Sequence, residues 1–183
     1  GKTLVAEFGV YKTLENNRKG KKTKLVYTLP RKALINEKYA DFTKQYGAQN
    51  IGLMHGDSTE NRGAPILLMT TEVWLKILSK PTLNKHFLDA VRYVVFDETH
   101  FLADPDRGAV WEECMMDMAS QFKHMIPIPL SATVSNAEQI VNWLNSLYED
   151  KETTESWWNN MSLTRFFKTK KADVPKVQLV ASS

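Results

Sequence analysis

Two adjacent carboxylates give the strongest chemical signal in the sequence. The apolar run Tyr93–Phe96 predicts a buried strand, and Asp97 and Glu98 follow it directly. Open α/β sheets bind ligands beyond the carboxyl ends of their strands, so both side chains would face a ligand there. Asp97 would hold Mg²⁺, and Glu98 would position and deprotonate a water that attacks a phosphate. The alternative interpretation is a strand that simply ends in an acidic turn.

A second signal lies in the first three residues, Gly1-Lys2-Thr3, which a helical apolar pattern follows at once. Glycine, lysine and threonine in this order form the second half of a phosphate-binding loop, where backbone N–H groups at a helix start hold phosphate oxygens. Lys2 would neutralise the β- and γ-phosphates, and the Thr3 hydroxyl would ligate Mg²⁺. The tripeptide alone is weak, but phosphoryl transfer needs both this element and the carboxylates.

A third signal is Ser131-Ala132-Thr133, which follows the aliphatic run before it. Its two hydroxyls would lie at the same end of the sheet as the carboxylates and could hydrogen-bond to them. The alternative is a helix cap, because Ser135 and Asn136 precede an amphipathic stretch and can accept its first N–H bonds. Both roles are compatible.

Short aliphatic runs alternate along the chain with stretches whose apolar residues have helical spacing. The strands and helices that they predict must position these groups. This alternation predicts an α/β fold with a central, mostly parallel sheet and helices on both faces. The predicted strands are Lys24–Leu29, Ile51–Met54, Ile66–Thr70, Tyr93–Phe96 and Ile126–Leu130, and the predicted helices are Thr3–Leu14, Arg31–Tyr46, Thr71–Leu78, Arg107–Phe122 and Asn136–Leu147. Pro127 and Pro129 each remove a ladder donor, which is typical of an edge strand or of no strand.

Length and composition favour one soluble domain. The chain has 183 residues, 43% of them hydrophobic, a formal charge of +3 and a single cysteine. These values exclude a disulfide scaffold and a disordered chain. No run approaches 18 apolar residues and the first residues lack the layout of a signal peptide, so we expect an intracellular protein of the cytoplasm or nucleus with no membrane partner. We expect the main domain at 1–148, a polar linker or insertion at 149–173, and the start of a further strand at 174–183.

The order of these motifs resembles that of motifs I, II and III in superfamily 2 helicases of the DExH type. The corresponding segments are Gly1–Thr3, Asp97–His100 and Ser131–Thr133. Between them, Tyr27–Leu34 resembles motif Ia and Met69–Glu72 resembles motif Ib. His55-Gly56-Asp57 stands where the family has a short turn, and Asp104–Glu113 is similar to a segment of the superkiller-like, exosome-associated RNA helicases.

The resemblance implies a RecA-like domain, the ATP-binding half of an ATP-dependent RNA helicase that uses ATP and Mg²⁺. It assigns nucleotide and Mg²⁺ contacts to Gly1, Lys2, Thr3, Asp97 and Glu98, with Lys2, Asp97 and Glu98 catalytic and Thr3 and Asp97 as metal ligands. It assigns contacts with a single strand, here called the nucleic-acid path, to Thr28, Pro30, Arg31, Lys32, Gly56, Asp57, Thr70, Thr71 and Glu72. His100, Ser131 and Thr133 would couple the two sites.

The implied partners are single-stranded or partly duplex nucleic acid, with RNA preferred over DNA, a second RecA-like domain, and an RNA-degrading complex. The second domain of such helicases supplies arginines that stabilise the transition state, so the chain alone is predicted to be weakly active or inactive. Two alternatives stay open: a DNA helicase or translocase, and a non-enzymatic module that only binds nucleic acid. A metabolic P-loop kinase would leave the segments similar to motifs Ia, Ib and III without a role.

Overall fold

The computed structural model describes residues 2–55, 58–98, 105–131, 143, 146–147 and 180–181. Within them the chain forms, besides a short 3-10 helix at Ala48–Asn50, five complete α-helices and seven strands. In chain order these are α1 (Lys2–Arg18), β1 (Lys24–Leu29), α2 (Lys32–Tyr46), β2 (Ile51–Met54), β3 (Thr59–Glu60), β4 (Ile66–Thr70), α3 (Thr71–Leu78), α4 (Lys85–Ala90), β5 (Val91–Phe96), α5 (Pro105–Gln121), β6 (Ile126–Ser131) and β7 (Val180–Ala181).

The strands form one sheet in the order β3-β2-β4-β1-β5-β6-β7. All neighbours pair in parallel except the short antiparallel pair β2–β3, which confirms the predicted mostly parallel sheet. Strands that run in parallel end at the same side of a sheet. The ends of β2, β4, β1, β5 and β6 therefore define one side, here called the carboxyl edge, at Met54, Thr70, Leu29, Phe96 and Ser131.

Helices cover both faces of the sheet, as predicted, because successive strand residues point to opposite sides. Leu25, Tyr27 and Leu29 of β1 pack in the core under α1 and α2. Val26 packs in the other core with α3, α4 and α5. Each aliphatic side chain that is fully buried in these cores contributes about 1.5–3 kcal/mol of transfer free energy.

The direction of α1 follows from the short connection after it. The helix ends at Arg18 and β1 begins at Lys24, so α1 runs back across the sheet and its first turn lies towards the carboxyl edge. It packs closely against β1, since a Cβ placed on Gly9 would lie 3.1 Å from Leu25 Cδ1. With 17 residues, the helix is about 25 Å long, which is enough to run from the carboxyl edge to the opposite ends of the strands.

Strand β6 forms despite its two prolines. It pairs in parallel with β5 from Ile126 to Pro129, and the short β7 pairs with its last two residues. Alternate residues of a strand donate to the same side, so Ile128 and Leu130 donate towards β5 while Pro127 and Pro129 face away from it. The missing donors therefore leave the β5–β6 ladder intact.

Several boundaries differ from the sequence predictions. Helix α1 continues to Arg18, four residues beyond its predicted end, and β5 begins at Val91 rather than Tyr93. Strand β3 and helix α4 were not predicted. Of the predicted helix 136–147, only Trp143, Ser146 and Leu147 are described, and all three are helical. Of the further strand expected at 174–183, only Val180 and Ala181 are described, and they form β7.

Candidate nucleotide site and nucleic-acid path

Asp97 occupies the carboxyl edge directly after β5. Its N–H donates to the carbonyl oxygen of Thr28 at 3.0 Å, which extends the pairing of β5 with β1 by one residue. The side chain is buried, with 9% of its surface exposed. The local sequence explains this position, because the run Val94–Phe96 is apolar enough to be buried on both faces and the polar residue begins where the sheet ends.

Both oxygens of the Asp97 carboxylate accept hydrogen bonds. The Tyr27 hydroxyl donates to Oδ2 at 2.6 Å, and the Glu98 backbone N–H donates to Oδ1 at 2.8 Å. Because Tyr27 belongs to the core under α1 and α2, the carboxylate lies on that face of the sheet. The two bonds fix the carboxylate plane, since carboxylates accept hydrogen bonds at both oxygens.

Tyr27 is a site residue to which sequence analysis gave no role. Its side chain is 3% exposed, and burial, together with the neighbouring Asp97, raises the pKa of the phenol far above its ordinary value. The group therefore stays protonated and acts as a donor. The available signal was its place in β1, next to the strand that ends in the carboxylates, at a position whose side chain shares a face with Asp97.

Glu98 adopts a left-handed backbone conformation with φ 58°. A non-glycine residue there costs about 1–3 kcal/mol, and such residues concentrate at functional sites. This conformation turns the chain out of the strand just after the N–H that donates to Asp97 Oδ1. The side chain of Glu98 is partly exposed, as a residue that meets water and substrate must be.

The first turn of α1 lies on the same face and at the same edge as Asp97. Val5 and Ala6 pack in the core that contains Tyr27, which fixes the face. Backbone N–H groups at a helix start and the helix dipole both favour an anion. Gly1 lies outside the described residues, and only the backbone of Lys2 and Thr3 is described, so the contacts assigned to these three side chains remain predictions.

The donor set at this edge fits Mg²⁺. No group of three or more His, Cys, Asp or Glu side chains that could hold a metal occurs within the described part of the chain. Mg²⁺ is commonly held by one or two carboxylates, with waters and substrate phosphates as its other ligands. One oriented carboxylate, Asp97, close to a helix start that suits phosphate, is such a set, and the Thr3 hydroxyl would be a second protein oxygen.

The described residues of the nucleic-acid path lie at the ends of β1 and β4. These strands are neighbours, and Leu29 pairs with Thr70. Pro30 is partly exposed, and Arg31 and Lys32 are exposed at the start of α2. Thr71 and Glu72 open α3, while the Thr70 hydroxyl accepts the Val73 N–H at 3.4 Å and so caps that helix. Gly56 and Asp57 lie outside the described residues.

Thr28 does not fit its predicted contact. Its side chain is 1% exposed, and its hydroxyl donates to the Val95 carbonyl oxygen at 2.9 Å. The hydroxyl therefore links β1 to β5. Thr28 is still inside the sheet, since β1 ends one residue later at Leu29. We remove its side chain from the nucleic-acid path.

The two predicted sites divide the carboxyl edge between them. The nucleic-acid path lies at the ends of β4 and β1, whereas the nucleotide groups lie at β5 and α1. At about 4.8 Å per strand, Thr70 and Asp97 stand two strands apart, roughly 10 Å. Ser131 ends β6 at the same edge, with only its backbone described, and His100 and Thr133 lie outside the described residues.

A surface cavity of about 500 Å³ lies at the opposite edge of the sheet. Lys24, Arg62 and Phe87 are among its lining residues. The Lys24 ammonium donates to the carbonyl oxygens of Arg62, Gly63 and Ala64 at 3.3, 3.1 and 2.8 Å. This cation therefore ties the start of β1 to the loop before β4, and the cavity is remote from the carboxylates.

Comparison with known proteins identifies the family. Residues 1–140 match the DEAD/DEAH box helicase family. This segment contains α1, every strand from β1 to β6, and the carboxylates at the carboxyl edge. The chain belongs to this family, which confirms the resemblance and the RecA-like α/β fold.

Individual relatives support the same assignment. The chain is 42% identical over 150 residues to "Probable helicase HelY" of Mycobacterium tuberculosis (strain CDC 1551 / Oshkosh), which covers 82% of this chain and 15% of the relative. It is 36% identical over 178 residues to the DExH-box ATP-dependent RNA helicase DExH15, chloroplastic, of Arabidopsis thaliana, covering 96% and 14%. Antiviral helicase SKI2 of Saccharomyces cerevisiae is 39% identical over 144 residues, covering 79% and 10%.

The chain thus spans 15% or less of the length of these three relatives. Among the helices that the structure describes, none is long and apolar enough to cross a membrane.

Proposed function

We propose that this chain is the ATP-binding motor domain of an RNA helicase that hydrolyses ATP to move along a single strand and separate duplexes. The observation that carries the proposal is the Asp97 carboxylate, held by Tyr27 and by the Glu98 N–H on the face where α1 begins. A buried, oriented carboxylate beside a helix start is what a metal-bound nucleotide requires.

The proposed reaction is transfer of the γ-phosphoryl group of ATP to water. Glu98 accepts a proton from the attacking water, the new oxygen–phosphorus bond forms, and the bond to the β-phosphate oxygen breaks to give ADP and phosphate. Lys2 would neutralise phosphate charge, and the N–H groups of the first turn of α1 would donate hydrogen bonds to the phosphate oxygens. Asp97 and Thr3 would hold Mg²⁺, which supplies charge stabilisation to the phosphates when bound.

The proposed substrate is a single strand of RNA along the described nucleic-acid path. Exposed Arg31 and Lys32 carry positive charge to the end of β1, and the first turn of α3 adds N–H groups close by. Such groups contact the sugar-phosphate backbone without selecting a base sequence, which suits a motor. The RNA preference follows from the superkiller-like segment and from the relative named as an RNA helicase.

The proposed architecture places the RecA-like domain at 1–148, a linker or insertion at 149–173, and a strand that leads to a second RecA-like domain at 174–183. A cleft between two such domains would close on ATP and open after hydrolysis. We include in the proposal an RNA-degrading complex as the partner and ATP with Mg²⁺ as the ligands.

The test is ATP turnover by the full-length protein, as its gene encodes it, with single-stranded RNA, with single-stranded DNA and with neither. We expect stimulation by RNA. Glu98→Gln should reduce turnover at least 100-fold, because it removes the general base, and should still bind ATP. Stimulation by DNA alone would identify a DNA translocase instead. Binding of RNA without turnover would leave a non-enzymatic binding module.

A further inference from the structure

We propose that Tyr27 is a positioning residue for the metal site: its hydroxyl holds the Asp97 carboxylate in the orientation that receives Mg²⁺. The inference rests on the proposed function, because it assumes that Asp97 holds a nucleotide-bound metal. It assigns a role to a buried polar group that opens the segment similar to motif Ia but is absent from the predicted nucleotide and nucleic-acid contacts.

The position of the hydroxyl is fixed by how the ring packs. The Tyr27 ring meets the Phe42 ring edge-on, with centroids 5.1 Å apart, and the Lys38 ammonium lies 5.7 Å from the Tyr27 centroid. Both partners belong to α2, so the ring is held between β1 and this helix. The hydroxyl then reaches Asp97 Oδ2 at 2.6 Å, a short bond typical of a hydroxyl that donates to a carboxylate.

The two hydrogen bonds restrict the terminal side-chain torsion of Asp97, which sets the plane of its carboxylate. The terminal torsion of aspartate is broad and rotates easily when the carboxylate is not held. Glu98 N–H holds Oδ1, and Tyr27 holds Oδ2, so the direction in which each oxygen meets a cation or its water is fixed. Partners that orient a ligand in this way typically change metal affinity or activity about 10–100-fold when they are removed.

The test is Tyr27→Phe in the full-length protein, since phenylalanine keeps the ring packing and removes only the hydroxyl. We expect the Mg²⁺ concentration for half-maximal ATP turnover to rise about 10-fold. Turnover should recover at high Mg²⁺, and KM for ATP at saturating Mg²⁺ should stay unchanged. The second measurement is Mn²⁺ binding to the protein–ADP complex by electron paramagnetic resonance, which needs no turnover and should weaken by a similar factor.

The matched control is Tyr46→Phe. The Tyr46 ring also packs edge-on against Phe42, at 5.3 Å, but Tyr27 is the tyrosine bonded to Asp97. This variant should keep the wild-type affinity for Mn²⁺. Thermal melting of both variants checks that each is folded at the assay temperature.

A second pair of variants, Asp97→Asn with and without Tyr27→Phe, keeps the test decisive if Tyr27→Phe is less stable than expected. If Tyr27 acts through Asp97, Tyr27→Phe should weaken Mn²⁺ binding in the wild-type background and have no further effect on an Asp97→Asn background. Additive losses, or wild-type Mn²⁺ affinity in Tyr27→Phe, overturn the inference. If the wild type binds Mn²⁺–ADP in the expected way but turns over no ATP, the proposed function fails while the positioning role of Tyr27 stands.

Discussion

Polar side chains near the carboxyl edge differ in whether they are buried in the sheet or exposed to a ligand. The Thr28 hydroxyl is buried and committed to Val95, whereas Arg31 and Lys32, only a few residues further along the chain, are exposed. The change occurs where β1 leaves the sheet. Side chains before this point stabilise the fold, and those after it can meet a ligand.

This contrast predicts different effects for two nearby substitutions. Lys32→Ala should weaken RNA binding and reduce the slope of log affinity against log salt by about 0.7, because one phosphate contact is lost from a single strand. Thr28→Val should leave RNA affinity unchanged and lower the free energy of unfolding by about 1 kcal/mol, because it removes a buried hydrogen bond. Filter binding at several salt concentrations and urea unfolding measure the two effects.

Lys44→Ala is the control for charge alone, since Lys44 is exposed in the last turn of the same helix, far from the carboxyl edge. Equal salt slopes for Lys32→Ala and Lys44→Ala would contradict the nucleic-acid path. A loss of RNA affinity in Thr28→Val, with no loss of stability, would restore Thr28 to it.

At the scale of elements, β2 is closely approached by the loop that follows β3. A Cβ on Gly52 would lie 2.4 Å from the Asn61 carbonyl oxygen and 2.6 Å from Leu67 Cδ2. Asn61 is itself fixed, because its side-chain amide donates to the carbonyl oxygens of Ala48, Gln49 and Ile51. Gly52 therefore permits this loop to pack against the sheet.

Gly52→Ala should lower the free energy of unfolding by about 1–3 kcal/mol, because an added methyl group in a packed region forces the backbone apart. Gly63→Ala is the matched control, since a Cβ there would meet no heavy atom within 4 Å. Urea unfolding of both variants measures the difference. Equal midpoints for the two would show that the loop yields without cost.

Elements with a strong apolar pattern could be predicted from the sequence, and those without one could not. The buried strands β1 and β4 were found at their observed bounds because four residues of each are apolar. Strand β3 has only two residues, both exposed, and α4 has six, so neither carries enough of a pattern. Tyr27 was missed because its partner Asp97 lies 70 residues away and only strand order brings them together.

At the scale of the whole molecule, the reactivity of one buried thiol depends on whether the core is folded. Cys114, the single cysteine of the sequence, is fully buried on α5 between this helix and α3. Burial raises the pKa of its thiol well above the ordinary value, and nearby Asp117 and Glu113 add to the shift. The thiolate, which is the reactive form, is therefore strongly disfavoured in the folded chain.

We expect a thiol reagent to modify this chain only through opening of the core, at least 100-fold more slowly in buffer than in urea. Because the folded pKa is raised, the stability that the thiol contributes is present below about pH 8.5 and falls as pH rises above that value. Gly52→Ala should accelerate labelling if opening is global. Labelling at the same rate with and without urea would place Cys114 at an accessible surface.

The prolines of β6 affect how a second strand can pair with it. On the side of β6 that faces away from β5, Pro127 and Pro129 present carbonyl oxygens but no N–H groups, and among the described residues β7 covers only the strand's last two positions. A strand that pairs on this side would find half of its hydrogen-bonding partners missing along this stretch. The same two residues that weaken the strand signal therefore leave β5 as the neighbour with which β6 can form a complete ladder.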